Sequence, residues 1–156
     1  MFLGSGFKVG FAKKNDAFGI ARLFTNTWRK EIGKIGAKKI KRHFLNKIKA
    51  KEVFVAKEKN SLLGFLVFTK SYWRGADFLD ELLVEKNFQR KGVALKLVKA
   101  FEKNAGKRKA RRIFSTTNAR NKASLRLHKK AGFKKAGYIK NMWGERDTEI
   151  VLSKKL

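Results

Sequence analysis

Residues 82–94 constrain the fold more than any other stretch, because they combine an apolar strand, a short loop and a glycine near a helix start. They read Leu-Leu-Val-Glu-Lys-Asn-Phe-Gln-Arg-Lys-Gly-Val-Ala. The pattern predicts a strand that ends at Val84 and a helix that begins near Arg90. The first amides of a helix have no intrahelical acceptor and lie at the positive end of its dipole, so phosphate groups bind well there. Taken alone, the stretch also fits an ordinary strand-loop-helix junction that tolerates a glycine.

Apolar spacing along the rest of the chain alternates between the period of strands and that of helices. Strands are predicted over residues 7–14, 53–57, 62–70, 76–85, 112–117, 133–140 and 148–153. Helices are predicted over 17–31, 32–48, 93–105 and 121–131, with Asn15-Asp16 as a cap of the first and Gly106 as a stop after the third. The order predicts an α/β fold, with a mixed sheet and helices on both faces, in a single domain over residues 1–156.

A second motif lies at residues 121–133, which read Asn-Lys-Ala-Ser-Leu-Arg-Leu-His-Lys-Lys-Ala-Gly-Phe. Together with Gln-x-x-Gly-x-Ala at 89–94, it resembles the GNAT superfamily of N-acetyltransferases. The coenzyme A loop of that superfamily follows a Leu-x-Val strand, and a later helix carries Asn, then Ala or Ser, then Tyr or His, then Gly-Phe. The resemblance implies the GNAT acyl-CoA N-acyltransferase fold with a mostly antiparallel sheet, and acetyl-CoA as co-substrate with no metal.

The resemblance also implies which residues hold the coenzyme. Backbone groups of Leu82, Leu83 and Val84 should pair with the pantetheine arm as an added strand would. The side chain of Asn121 should contact the pantetheine region. The loop and helix start should cradle the pyrophosphate through Gln89, Arg90, Lys91, Gly92, Val93, Ala94 and Leu95. Burial is expected in any such fold, whatever it binds, for Leu82, Val84, Val93 and Leu97.

His128 occupies the position at which many members of the superfamily carry a tyrosine that protonates the departing thiolate. A neutral imidazole can donate an N–H to sulfur, and the nearby cations Arg126, Lys129 and Lys130 disfavour the imidazolium form. His128 is therefore a candidate catalytic residue. The alternative is a polar helix residue without a catalytic role.

Attack on a thioester needs a neutral amine, so a base must take up its proton. The acids Asp77, Asp80, Glu81 and Glu85 fall within nine residues of an otherwise basic region. We expect Glu81 or Asp80 to be that base, and only one of the two to face the substrate, because neighbouring strand residues point to opposite faces. The alternative is that these acids are solvated and offset surrounding lysines.

The composition excludes several classes of site and of location. Cysteine is absent and His43 and His128 are the only histidines, so disulfides and thiolate ligands are excluded and a zinc site is not expected. No apolar run approaches the ~20 residues of a membrane span, and the first residues lack a signal-peptide pattern, so we expect a cytoplasmic protein. Gly4-Ser5-Gly6 is interpreted as a flexible lead, since its spacing differs from that of a dinucleotide loop.

The net charge of +28 is extreme and unevenly distributed. Between Lys86 and Lys140 there are nineteen Lys or Arg residues and one acid, Glu102. One interpretation is a polyanion partner such as RNA, DNA, an anionic membrane or an acidic protein. The other is AT-rich codon usage, since lysine supplies 29 of the 40 basic residues and proline is absent.

The sequence thus predicts an acetyl-CoA-dependent N-acetyltransferase that transfers the acetyl group directly to a primary amine, since no cysteine offers an acyl-enzyme intermediate. The acceptor is left open between a small amine, a protein amine and an aminoacyl-tRNA, and the protein is expected to be a monomer or a homodimer. The alternative function is a basic RNA-binding module on a catalytically inactive GNAT fold. Binding of acetyl-CoA discriminates the two.

Overall fold

The computed structural model describes residues 6–32 and 35–156. The first part of the predicted Gly4-Ser5-Gly6 lead lies outside the described residues. The helices are α1 (Ala17–Thr27), α2 (Arg29–Ile32), α3 (Ala37–Lys49), α4 (Val93–Lys107) and α5 (Lys122–Lys130). The strands are β1 (Lys8–Phe11), β2 (Val53–Glu58), β3 (Ser61–Trp73), β4 (Ala76–Val84), β5 (Arg112–Asn118), β6 (Lys134–Lys140) and β7 (Thr148–Lys155).

The seven strands form one sheet in the order β1-β2-β3-β4-β5-β7-β6. The ladders β1/β2, β2/β3, β5/β7 and β6/β7 are antiparallel. The β4/β5 ladder is parallel and joins residues 76–79 to residues 112–115, while β4 itself continues to Val84. The predicted mixed, mostly antiparallel α/β fold is confirmed.

The chain divides into two compact units that do not follow the sequence order. The first consists of residues up to Val67 together with Glu81–Ala100, and the second of Phe68–Asp80 together with Phe101–Leu156. The strands β3 and β4 and the helix α4 each contribute residues to both units.

Apolar side chains of α1 and α3 pack on β2 and β3 in the first unit. In α1, Ile20 and Leu23 are three apart and in α3, Ile40 and Phe44 are four apart, so each pair lies on one helix face. All four are buried, in a cluster with Val53, Val55, Phe65 and Val67. The Phe44 and Phe65 rings meet edge to face at 5.6 Å. This cluster anchors the β2-β3 hairpin.

The second unit is built around the β5/β7 ladder, with Phe68 and Phe101 fully buried and their rings 4.9 Å apart. Asp77, only 1% exposed, forms an ion pair with Arg108 and accepts a hydrogen bond from the Ser71 amide at 2.9 Å. A buried carboxylate is tolerated because a cationic partner and a hydrogen-bond donor are both in place.

Several predicted boundaries differ from the structure. The helix predicted near Arg90 begins at Val93, and Gly106 lies inside α4 rather than after it. Asp16 does not cap α1 with its side chain. Its carboxylate instead accepts the Lys13 amide and pairs with Lys57, each at 2.8 Å. The Asp16 carboxylate therefore binds an amide three residues earlier and a lysine of β2, rather than the amides of α1.

Candidate active site

The end of β4 is held against β3 by a close backbone approach in the first unit. A Cβ atom at Gly64 would lie 2.6 Å from the Leu83 carbonyl oxygen and 3.1 Å from a methyl group of Val84. The Glu85 amide donates to the Leu63 carbonyl oxygen at 2.8 Å. Only glycine fits at position 64, so this residue sets the position of the predicted pantetheine-pairing segment, residues 82–84.

The loop after β4 is ordered by the glutamine of the first motif. Lys86–Phe88 form a 3-10 turn, and the Gln89 side chain donates back to the Val84 carbonyl oxygen at 3.1 Å. Gln89 therefore closes the loop by binding the strand that precedes it. The sequence pattern predicted coenzyme contact for this residue but not this structural bond.

The backbone reverses between Gln89 and Val93 through two left-handed positions. Arg90 has φ +60° and Gly92 has φ +83°, a conformation that glycine adopts without the strain other residues incur. Arg90 is consequently not helical, and α4 begins three residues later, at Val93. A Cβ at Gly92 would meet no atom within 4 Å, so glycine here serves the turn and leaves open space beside it.

The start of α4 presents backbone donors without helical acceptors. The Gly92 carbonyl oxygen accepts from the Lys96 amide at 3.0 Å and thereby opens the helix. The amides of Gly92, Val93, Ala94 and Leu95 precede the first intrahelical donor, so they have no acceptor within the helix. Exposed Arg90 and Lys91 flank them. Four amides, the positive end of the dipole and two cations suit a bound diphosphate. This chemistry fits the pyrophosphate of acetyl-CoA.

The two predicted bases are consecutive residues of β4 and have different surroundings. Asp80 is exposed and accepts a hydrogen bond from the Thr69 hydroxyl at 2.7 Å. Glu81, the next residue along β4, is half-buried. Their roles in proton transfer stay predictions.

Asn121 caps α5 in the second unit. Its Oδ1 accepts from the Ser124 amide at 3.0 Å, which satisfies one of the orphan amides of the helix start. Its own amide donates to the Asn118 carbonyl oxygen at 2.9 Å, so the β5-α5 connection is tight. The cap uses only Oδ1, and the residue is exposed. The predicted contact with the pantetheine region stays a prediction, beside this structural role.

His128 is 4% exposed and both of its ring nitrogens have partners within the second unit. Nδ1 lies 2.8 Å from the Ser124 carbonyl oxygen and Nε2 lies 2.9 Å from the Ser115 hydroxyl. A carbonyl oxygen only accepts, so Nδ1 carries the proton and Nε2 accepts from Ser115. Burial lowers the pKa of His128, and the hydrogen bond to Ser124 opposes that shift. The imidazole is therefore neutral and holds α5 onto β5.

Sequence reasoning missed a buried carboxyl group, Glu149 on β7. It pairs with Asn118 across the β5/β7 ladder and is 5% exposed. Burial raises the pKa of Glu149, hydrogen bonds with the Thr116 and Asn118 side chains lower it, and the charge of Asp147 raises it further. The signal in the sequence was an acid that directly precedes the apolar run Ile-Val-Leu within a predicted strand.

Within residues 6–32 and 35–156, no group of three or more His, Cys, Asp and Glu residues is arranged to hold a metal ion. None of the helices in those ranges combines the length and apolar character that crossing a bilayer requires.

The sequence profile of the acetyltransferase (GNAT) family matches residues 17–133. The match extends over three quarters of the chain and contains both motifs, so the chain belongs to the GNAT family of acetyltransferases. It is a GNAT-family N-acetyltransferase, and acetyl-CoA is the acetyl donor that this family uses. No curated protein matches the sequence.

Solved structures with the same fold include three acetyltransferases. The chain is similar to an N-acetyltransferase from Staphylococcus aureus Mu50 (22% identity, 97% of this chain and 99% of that chain, TM-score 0.84). It is similar to a ribosomal-protein-alanine N-acetyltransferase from Brucella melitensis (18%, 96% and 99%, 0.83). It is also similar to the putative acetyltransferase yncA from Salmonella typhimurium, solved with its cofactor acetyl-CoA (19%, 97% and 95%, 0.82). At these low sequence identities, the structural similarity shows only that the proteins share a fold.

Proposed function

We propose that this chain transfers the acetyl group of acetyl-CoA directly to a primary amine, with residues 1–156 working as one catalytic domain. The observation that carries the proposal is the start of α4, where the amides of residues 92–95 have no helical acceptor and exposed Arg90 and Lys91 lie beside them. The left-handed Gly92 leaves open space next to these amides. A diphosphate fits this combination of donors, charge and room.

In this proposal the end of β4 holds the pantetheine arm. The parallel ladder with β5 joins residues 76–79 of β4 to β5, and β4 continues beyond it to Val84. Backbone groups of Leu82, Leu83 and Val84 then pair with the amides of the arm as a neighbouring strand would. Gly64 and the Gln89 side chain keep that segment in place. Bound acetyl-CoA supplies the thioester, at which a C–N bond forms as the C–S bond breaks.

A carboxyl group accepts the proton of the attacking amine in this proposal. Glu81 and Asp80 are the candidates that the sequence supplies, and Glu149 is a third. A general base works best when its pKa is close to the working pH, and burial raises the pKa of Glu149 in that direction. Glu149 lies at the same end of β5 as the Asn121 cap, since it pairs with Asn118. Variants of the three carboxyls distinguish these roles.

The role of His128 on the departing thiolate requires a change in its hydrogen bonds. To donate from Nε2, a neutral imidazole must move its proton from Nδ1, which leaves two acceptors facing each other across the 2.8 Å contact with Ser124. The contact with the Ser115 hydroxyl must break as well. In this proposal His128 acts on sulfur only through that rearrangement, and substitution of His128 tests the role.

The acceptor is a small amine, a protein amine or an aminoacyl-tRNA. The structure of the Brucella melitensis protein is named as that of a ribosomal-protein-alanine N-acetyltransferase, which puts N-terminal peptides among the acceptors to test. Members of the superfamily that acetylate protein N-termini often carry a glutamate where this chain has Thr116. Here the neighbouring carboxyl is that of Glu149, hydrogen-bonded to the Thr116 side chain. A cytoplasmic location is part of the proposal.

Two measurements test the proposed function. Calorimetric titration with acetyl-CoA should show binding, and a thiol-release assay with amines, peptides and charged tRNA should identify the acceptor. Saturable coenzyme binding together with amine-dependent thiol release supports the proposal. Failure to bind acetyl-CoA would instead favour the second candidate, an RNA-binding module on an inactive GNAT fold, which the net charge of +28 supports.

A further inference from the structure

The β3-β4 turn and the start of β5 surround a shallow depression on the second unit, with a volume of about 210 Å³. The residues that line it are aromatic, basic or small: Trp73, Arg74, Ala76, Arg111, Arg112 and Phe114. The depression belongs wholly to the second unit and includes none of the residues proposed to hold the coenzyme. The proposed acetyl transfer gives it no role.

The turn is held in a fixed conformation that directs its side chains outward. Arg74 and Gly75 are left-handed, with φ +43° and +77°, and the Arg111 amide donates to the Gly75 carbonyl oxygen at 2.9 Å. Ala76 pairs with Arg112 in the parallel ladder. Trp73 is 65% exposed on this rigid support. Because the turn is already held in one conformation, little conformational entropy is lost when a flat ring stacks on the indole.

The charge of the depression is positive and not compensated by the nearby acid. Asp77, near the start of β4, is 1% exposed and forms an ion pair with Arg108. Among the described residues, neither Arg74 nor Arg111 has an ion pair. Codon usage that favours lysine does not account for three arginines around one exposed tryptophan. A guanidinium is planar, so it can bind a phosphate bidentately and stack flat on a ring, whereas an ammonium binds phosphate only as a point charge.

We propose that this depression binds single-stranded RNA, with a base stacked on Trp73 and phosphates bound by Arg74, Arg111 and Arg112. Exposed aromatic rings inside a basic groove are the features with which proteins hold unpaired nucleic acid. Unpaired, unstacked bases are what RNA loops and ends offer. A concave surface with one projecting indole is better suited to binding a base than to binding a lipid surface. Binding to a lipid surface requires several protruding apolar side chains together.

The site lies at the opposite end of β5 from the Asn121 cap. Arg112 begins the strand and Asn118 ends it, so the two ends are about 20 Å apart at the rise of an extended chain. An RNA bound at the depression therefore leaves the Asn118–Asn121 connection uncovered. RNA binding and coenzyme binding should be separable by mutation.

The test is fluorescence anisotropy of a labelled single-stranded RNA across a range of salt concentrations, with the full chain. Trp73→Ala should weaken binding about tenfold, in the range measured for loss of one stacked base, without changing the salt slope. Replacing Arg74 and Arg111 by alanine together should lower the slope of log K against log salt by about 1.4, because each phosphate contact contributes about 0.7.

Trp143→Ala is the matched control, because Trp143 is 71% exposed in the same unit but outside the depression. It should bind RNA as the unchanged protein does, and all variants should keep their melting temperature and their affinity for acetyl-CoA. Equal losses in Trp73→Ala and Trp143→Ala, or no loss in either, would overturn the proposal. So would tighter Trp73-dependent binding to single-stranded DNA, or to vesicles of anionic lipid, than to RNA. Because acetyl-CoA affinity is measured separately, failure here leaves the proposed acetyl transfer intact.

Discussion

The Nε2 atom of His128 accepts a hydrogen bond from the Ser115 hydroxyl at 2.9 Å, and neither residue is more than 4% exposed. His128→Phe removes the acceptor and leaves the hydroxyl buried without a partner, which should cost about 1–3 kcal/mol in the free energy of unfolding. Adding Ser115→Ala should recover part of that loss, since an apolar group then replaces the unsatisfied one. Urea unfolding of both single variants and the double variant measures the coupling. Additive losses would mean that the two side chains do not interact.

The same residue separates a structural from a catalytic role. If His128 acts on the leaving group, the turnover of His128→Phe should fall by roughly 10²-fold, as for loss of a general acid, with acetyl-CoA affinity almost unchanged. Steady-state kinetics with an identified acceptor, at a temperature where the variant is folded, gives both numbers. Turnover close to that of the unchanged protein would leave His128 with its structural role alone.

Stability should fall on mild acidification because of His128. Its pKa in the folded chain is lowered by burial, whereas in the unfolded chain it is about 6.5. Below that pH the unfolded chain takes up a proton that the folded chain does not, so stability present above about pH 6.5 is lost as the pH falls through the folded value. The His128→Phe variant should lack this loss. Urea unfolding of both proteins at a series of pH values is the measurement, and parallel curves would contradict the assignment.

Glu149 should contribute a pH dependence of stability opposite in sign to that of His128. Its folded pKa is raised, so the folded chain binds a proton at a higher pH than the unfolded chain. Its contribution to stability is therefore present at low pH and lost as the pH rises through the folded value. In Glu149→Gln the amide keeps hydrogen-bonding capacity without a charge, and the stability gained over the unchanged protein should be larger at pH 7 than at pH 4. An unchanged difference between these pH values would show that Glu149 ionises normally.

Gly92→Glu should abolish acetyl-CoA binding, because it places a carboxylate and a side chain in the space beside the α4 amides. The left-handed backbone adds a strain of about 1–2 kcal/mol. Gly75→Glu is the matched control, with φ +77° and equally open space. It should carry similar strain and bind the coenzyme normally. Calorimetric titration of both variants decides, and equal affinities would mean that the pyrophosphate site has been misplaced.

The three candidate bases should differ in their kinetics. Loss of the true base should lower turnover by about 10²-fold or more, and the loss should shrink at higher pH, where more of the amine is already neutral. Glu81→Gln, Asp80→Asn and Glu149→Gln, measured across pH with one acceptor, identify the residue. A pH-independent loss in Glu81→Gln would move the assignment to Asp80, Glu149 or an ordered water.

Local patterns predicted the order of the elements, since Val93, Leu97 and Phe101 repeat with the period of a helix and lie buried on one face. The motif at 89–94 also indicated the helix start that the proposal uses. The left-handed conformation of Arg90 was not predicted, because an arginine in the sequence does not indicate a positive φ. The burial of His128 depends on Ser115, and that of Glu149 on Thr116 and Asn118. Contacts between elements that are distant in the sequence leave no local periodicity, so these environments could not be predicted from sequence.

The close approach at Gly64 has a consequence for the mutational tolerance of this protein. Any side chain at that position would collide with the Leu83 carbonyl oxygen, which belongs to β4 backbone and cannot rotate away. In an unbiased screen for lost acetyl transfer, position 64 should therefore be recovered together with positions in the coenzyme loop, although Gly64 is not among the residues proposed to contact the coenzyme. By contrast, Gly10 has open space around it and should accept alanine silently. The glycines that tolerate no substitution would therefore mark the backbone that supports the acetyl-CoA site, including segments that do not contact acetyl-CoA.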